Sequence, residues 1–266
     1  MNNIVEADAA KWRQLVEIMS VLRGENGCPW DREQDHFTLK KYFVEETYEV
    51  LDAIDARDDV ALCDELGDAL LQVIFHAQIA AEQGRFTIND VVAGISAKML
   101  RRHPHVFGSD QAATSGEVLT KWEEIKAAEK ASGSPAAQKR GLMYVNDNLP
   151  ALLLAQKVQD KAARVGFDWP DISGPRAKLT EEIGELDRAE TPDEHRDELG
   201  DCLFALVNMA RFLQLDAEDA LRYSSKKFMK RFDYIEQMLL ARGDKLGEVD
   251  LAALDQLWDE AKARGL

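Results

Sequence analysis

The pentapeptide Asp-Glu-Leu-Gly-Asp occurs twice in this chain, at 64–68 and again at 197–201. Each copy belongs to the same ordered series of blocks. Glu45-Glu46-Thr47-Tyr48-Glu49 precedes the first and Glu181-Glu182-Ile183-Gly184-Glu185 the second, so each half reads EExxE followed by ExxD. Farther upstream stand Cys28-Pro29-Trp30-Asp31 and Phe167-Asp168-Trp169-Pro170-Asp171; downstream, Lys98, Arg101 and Arg102 are echoed by Lys227, Lys230 and Arg231. Matching blocks in one order mean a module written twice, so the fold must be one that half the chain can complete. Ser132-Gly133-Ser134-Pro135 and Gly141 give the stretch between the copies linker composition. The predicted domains are 1–134 and 135–266, each of ordinary domain size.

Within each half the apolar period is helical. Val44, Thr47, Leu51 and Ile54 share one face, with Glu45, Glu46, Glu49 and Asp52 opposite; Leu179, Ile183 and Leu186 oppose Glu181, Glu182 and Glu185 in the same way. No stretch alternates convincingly as a strand. The expected fold is all-α, two tandem four-helix-bundle-like modules.

Leu199, Leu203, Phe204, Leu206, Val207 and Met209 make the helix carrying Glu198 and Asp201 apolar nearly all round, which predicts a buried helix. Carboxylates there need a partner or a metal ion. Glu198 and Asp201 share one face, continued by Ala205 and Asn208, and Glu182 and Glu185 form a second i,i+3 pair one helix earlier. Antiparallel packing would bring all four together, and an all-oxygen cluster favours Mg2+ or Mn2+ over zinc. Gly67 and Gly200, between the paired acids, each cost about 1 kcal/mol in a helix interior, and close approach of a neighbour would account for them.

Charge limits the partners. Asp plus Glu number 49 against 33 Lys plus Arg, a net charge of -16 in 266 residues, which argues against binding a nucleic-acid polymer. Lys227 and Arg231 nonetheless fall at i,i+4, a spacing suited to phosphate oxygens. Four carboxylates, a cation and a basic face suggest metal-assisted hydrolysis of a phosphoanhydride. Cys28, Cys63 and Cys202 form no CxxC, which disfavours a disulfide scaffold or a zinc site and fits a cytoplasmic protein. Charged residues interrupt the N-terminal helix, so it does not read as a signal peptide. The most apolar stretches, 69–75 and 203–207, are too short to span a membrane.

The series GCPWD at 27–31, EETYEVLDAI at 45–54, DELGD at 64–68, FHAQ at 75–78, RRHPHVFG at 101–108, VGFDWPD at 165–171, EEIGEL at 181–186, DELGD at 197–201 and KKFMKRF at 226–232 resembles the MazG family in its two-domain form. The resemblance covers nearly the whole chain. It implies Mg2+-dependent hydrolysis of nucleoside triphosphates between the α and β phosphates, by a homodimer. It further implies Glu182, Glu185, Glu198 and Asp201 as metal ligands and catalytic residues, with Lys178, Lys227, Arg231 and Trp258 binding the nucleotide beside Glu182 and Asp201. Trp258 also fits a core anchor for the last helix. Glu46, Glu49, Glu65 and Asp68 repeat the acids, but Phe75 replaces Asn208 and removes a polar group from the side expected to face the metal. The N-terminal half is therefore expected to serve structure and dimerisation, and the C-terminal half catalysis. Trp30 and Trp169 read as core residues, and His76, His103 and His105 as satisfied structural histidines. Two rival readings are a non-catalytic helical scaffold and a di-iron carboxylate bundle. The latter needs paired Glu-x-x-His, and only Glu33 to His36 has that spacing.

Overall fold

The structure, a computed structural model, describes residues 2–131 and 143–266. Every regular element among them is helical, as the apolar period requires. The chain divides into two compact units, 1–129 and 130–266; the predicted boundary at 134/135 lies outside the described residues.

The first unit runs α1 (Asn2–Arg23), α2 (Pro29–Glu33), α3 (Lys40–Ala56), α4 (Asp59–Glu82), α5 (Ile88–Arg102), α6 (Pro104–Phe107) and α7 (Ser115–Ala131). Asp58 starts α4 by accepting from the Val60 and Ala61 N–H groups, and Thr87 with Asp90 forms a capping box that starts α5. Met19, Leu39, Ile74, Phe75, Ile79 and Ile88 form its core.

The second unit runs α8 (Ala151–Ala163), α9 (Ser173–Leu186), α10 (Pro192–Phe212), α11 (Ala217–Arg242) and α12 (Leu251–Ala263). Thr191 and Glu194 form the capping box of α10, with Pro192 at the first helical position, where its missing N–H costs nothing. Gly243 ends α11 at φ 78°, a conformation that favours glycine. Ile235, Leu239 and Leu257 form the core between α11 and α12, and Gln156 ties α8 to the α10–α11 turn through Leu215 O and the Ala217 N–H.

In both units the acidic pair of helices packs together, α3 with α4 and α9 with α10. The apolar faces of these helices are only partly covered: Val44, Ile54 and Ile183 are about half exposed, whereas Glu182 is buried at 4%. Nor is α10 buried all round, since Leu199, Leu203 and Leu206 are 51, 45 and 48% exposed while Cys202, Ala205 and Val207 turn inward. A Cβ on Gly67 or Gly200 would meet nothing within 4 Å, so the expected close neighbour is absent from both sites among the described residues.

Candidate active site

Glu182 and Glu185 project from the last turns of α9, and Glu198 from the second turn of α10. One carboxylate oxygen from each lies within 4.8 Å of the other two. Asp201 stays outside that group and is exposed, although its negative charge reaches Glu198. Mg2+ with bonds of about 2.1 Å places adjacent ligand oxygens about 3 Å apart and opposite ones about 4 Å apart, so a small closure of this all-oxygen set would accommodate the ion. The donor chemistry and spacing fit a hard divalent cation.

The electrostatics agree with a site short of positive charge. Burial, and after it the charges of Glu185, Glu182, Asp201 and Asp197, raise the proton affinity of Glu198. The neighbouring Cys202 thiol is pushed up by burial and then by Glu182, Glu198, Asp201 and Asp187. Two cations among the described residues stand against them, Arg188 at 4.0 Å from Glu185 Oε1 and, more closely, Lys178. Lys178 Nζ lies 2.6 Å from Glu182 Oε1 and 2.9 Å from Glu181 Oε1, and these bonds raise its own pKa. Lys178, expected to contact a triphosphate, is therefore engaged with the acids.

The remaining sequence candidates divide into two places. Arg231 Cζ sits 5.3 Å from the centroid of the Trp258 ring, and its Nε donates to Leu266 O at 2.7 Å. Lys227 lies over Tyr223. None of the polar or ring contacts of Lys227, Arg231 or Trp258 among the described residues reaches the acids. Trp258 packs on the Ile235–Leu239–Leu257 core, as its anchor reading required.

Asn208, expected on the side facing the metal, is hydrogen-bonded to Arg211. Its Oδ1 accepts from Arg211 Nε and Nη2 at 3.2 and 2.9 Å, and Arg211 in turn grips the Asp168 carboxylate with Nη1 and Nη2. Sequence spacing could not pair Arg211 with a residue 43 positions away. Trp30 and Trp169 are likewise not core residues, being 49 and 48% exposed. Trp169 instead lies against Gly174 at the start of α9, where a Cβ would fall 2.5 Å from the indole.

The first unit repeats the acids without their cation. Glu46, Glu49 and Glu65 have oxygens within 4.8 Å of one another, and Asp68 again stays outside. Four residues before Glu46, at the place of Lys178, stands Tyr42. Glu46 accepts from the Gln72 amide at 3.4 Å, and its proton affinity rises through burial and then through Asp68 and Glu49. Phe75 is buried beneath the Arg23 guanidinium. His36 stacks on His76, and His103 Nδ1 bonds Met99 O, whereas His105 Nδ1 is buried without a partner.

The MazG nucleotide pyrophosphohydrolase domain profile matches residues 34–107 and 174–235, which carry both acid clusters. The chain belongs to the MazG family. A Thermotoga maritima relative described as a nucleoside triphosphate pyrophosphohydrolase/pyrophosphatase MazG is 45% identical over 251 residues, covering 94% of this chain and 95% of the relative. An Escherichia coli K12 nucleoside triphosphate pyrophosphohydrolase is 47% identical over 255 residues, covering 94 and 96%. A Mycobacterium tuberculosis protein of the same description is 40% identical over 163 residues, 60% of this chain and 48% of its own length. Among the described residues of this MazG chain, no helix is long and apolar enough to cross a membrane.

Proposed function

We propose that this chain is a cytoplasmic, Mg2+-dependent nucleoside triphosphate pyrophosphohydrolase, acting on NTPs and dNTPs between the α and β phosphates. The products are the nucleoside monophosphate and pyrophosphate. The convergence of Glu182, Glu185 and Glu198 beside Lys178 carries this reading. A divalent cation bound there, Mg2+ or Mn2+ in its place, would offset triphosphate charge and acidify a bound water. Glu182, Glu185 and Glu198, with Asp201 beside them, would hold the ion. A carboxylate oxygen left unengaged accepts the proton of the attacking water. Lys178 exchanges Glu182 for a phosphate oxygen as the site fills. Lys227 and Arg231 stabilise negative charge on the leaving pyrophosphate, with Trp258 bordering the nucleotide.

The first unit has the acids but neither the lysine nor the asparagine, and we assign it to structure and dimerisation. The half-exposed Leu199, Leu203 and Leu206 support a homodimer in which a second copy covers α10. The test is incubation with each NTP and dNTP plus Mg2+. Pyrophosphate and monophosphate are the expected products; diphosphate with inorganic phosphate, or no turnover on any nucleotide, overturns the reading.

A further inference from the structure

A cavity of about 520 Å³ opens in the second unit, within the range that small-molecule sites occupy. Val158, Ala162, Phe167, Trp169 and Phe204 make its wall largely apolar, with one polar end formed by Gln159, Asp168, Asn208 and Arg211. Asn208 lies two helical turns beyond Asp201 on α10, about 10 Å along the axis, a span that a nucleotide bridges.

The polar end has a definite hydrogen-bonding capacity. Arg211 carries only donors, so Asn208 must face it with Oδ1, which leaves the Nδ2 donors free. Arg211 Nη1 bonds Asp168 Oδ2 with one hydrogen and keeps another. Asp168 is occupied by two guanidinium nitrogens and the Trp169 N–H. Gln159, only 6% exposed, donates from Nε2 to Phe204 O at 2.8 Å, and its buried Oε1 has no hydrogen-bond partner among the described residues. The set is two donor groups and one orphaned acceptor.

We propose that this cavity seats the nucleobase of the substrate and selects oxo bases over their amino counterparts. A lactam edge presents a carbonyl oxygen able to accept from both Asn208 and Arg211, and an adjacent N–H for Gln159 Oε1. The amino edge of adenine or cytosine offers two donors and one acceptor, the reverse count, and leaves buried groups unpaired. The first unit differs at the matching place. Counting back seven residues from Trp30 and from Trp169 sets Arg23 against Ala162. Arg23 fills its position, stacked on Phe75 and bonded to Glu82 and to the carbonyls of Asp31 and Gln34.

This inference rests on the proposed pyrophosphohydrolase reading, so binding and turnover are measured side by side on the full chain with Mg2+. ITP is compared with ATP, and UTP with CTP, since each pair differs only at the oxo or amino position. The expected result is a kcat/KM at least tenfold higher for ITP and UTP, carried by KM and mirrored in calorimetric affinity. Asn208→Asp keeps the oxygen that Arg211 holds and replaces the donor by an acceptor, so it shifts preference toward ATP and CTP. Gln159→Met narrows both ratios. Ratios near one or inverted in the unmodified chain, or ratios that neither substitution moves, overturn the base site. Binding that prefers oxo bases without any pyrophosphate release supports the cavity and overturns the activity.

Discussion

Lys178 Nζ lies 2.6 Å from Glu182 Oε1, joining a lysine side chain that is 42% exposed to a carboxylate that is 5% exposed. The pair explains how the seam between α9 and α10 tolerates a buried acid before any ligand arrives. Removing the lysine leaves the acid without its cation, which is costly for a fully buried pair and less so here because water screens Lys178. Lys178→Met is expected to destabilise the second unit and lower its Tm. Adding Glu182→Gln should recover part of the loss in the same thermal scan.

If Glu182, Glu185 and Glu198 hold Mg2+, the ion stabilises the folded state by mass action, by about 2.7 kcal/mol at a hundredfold excess over Kd. A Mg2+ titration followed by thermal unfolding should raise Tm, and Glu198→Gln should abolish most of that rise. An equal rise in the variant places the ion elsewhere.

Glu129 accepts from Arg101 and Arg102 at 2.7 Å each and so holds α7 to α5. Those bonds lower its carboxyl pKa from 4.5 to about 2. Because the folded pKa is depressed, the stabilisation is complete above about 4.5 and fades as pH falls toward 2. Hydrogen exchange in α7 should be faster in Glu129→Gln than in the unmodified chain at pH 7, with the difference shrinking below pH 4.5. A difference that stays constant with pH would show that the carboxylate charge does not hold the helix.

A dimer that covers α10 should be sensitive to charge on its outer face. Leu203→Glu, at a residue 45% exposed in the single chain, should shift sedimentation from dimer to monomer while leaving the helix content unchanged. Unaltered sedimentation would mean that α10 is not the contact.

Much of this was legible from residue types and spacing. The duplication, the helical period and the EExxE and ExxD pairs located both acid clusters, because i,i+3 spacing puts two carboxylates on one face whatever the rest of the fold does. The direction that face takes was not legible. Val44, Ile54 and Ile183 share apolar faces at helical spacing, yet the seam has acids inside and these residues half exposed. A periodicity reading assumes one core per chain and cannot see surface reserved for something outside it. Long-range partners were equally hidden: Asp168 and Arg211 are 43 residues apart and Gln159 and Phe204 are 45 apart, so only the packing of α8 and α9 against α10 brings them together. Tyr42 in the place of Lys178 was readable once the repeats were aligned on Glu46 and Glu182. It separates the halves as clearly as Phe75 does.

The central claim is that one of two duplicated acid clusters does the chemistry. It is tested most directly by comparing pyrophosphate release in Glu185→Gln/Glu198→Gln with that in Glu49→Gln/Glu65→Gln. The first pair should reduce kcat by about a thousandfold or more, as expected when a metal site and its proton acceptor are lost together. The second should retain kcat within about threefold. Loss of release from the N-terminal pair, with the C-terminal pair still active, would contradict the account.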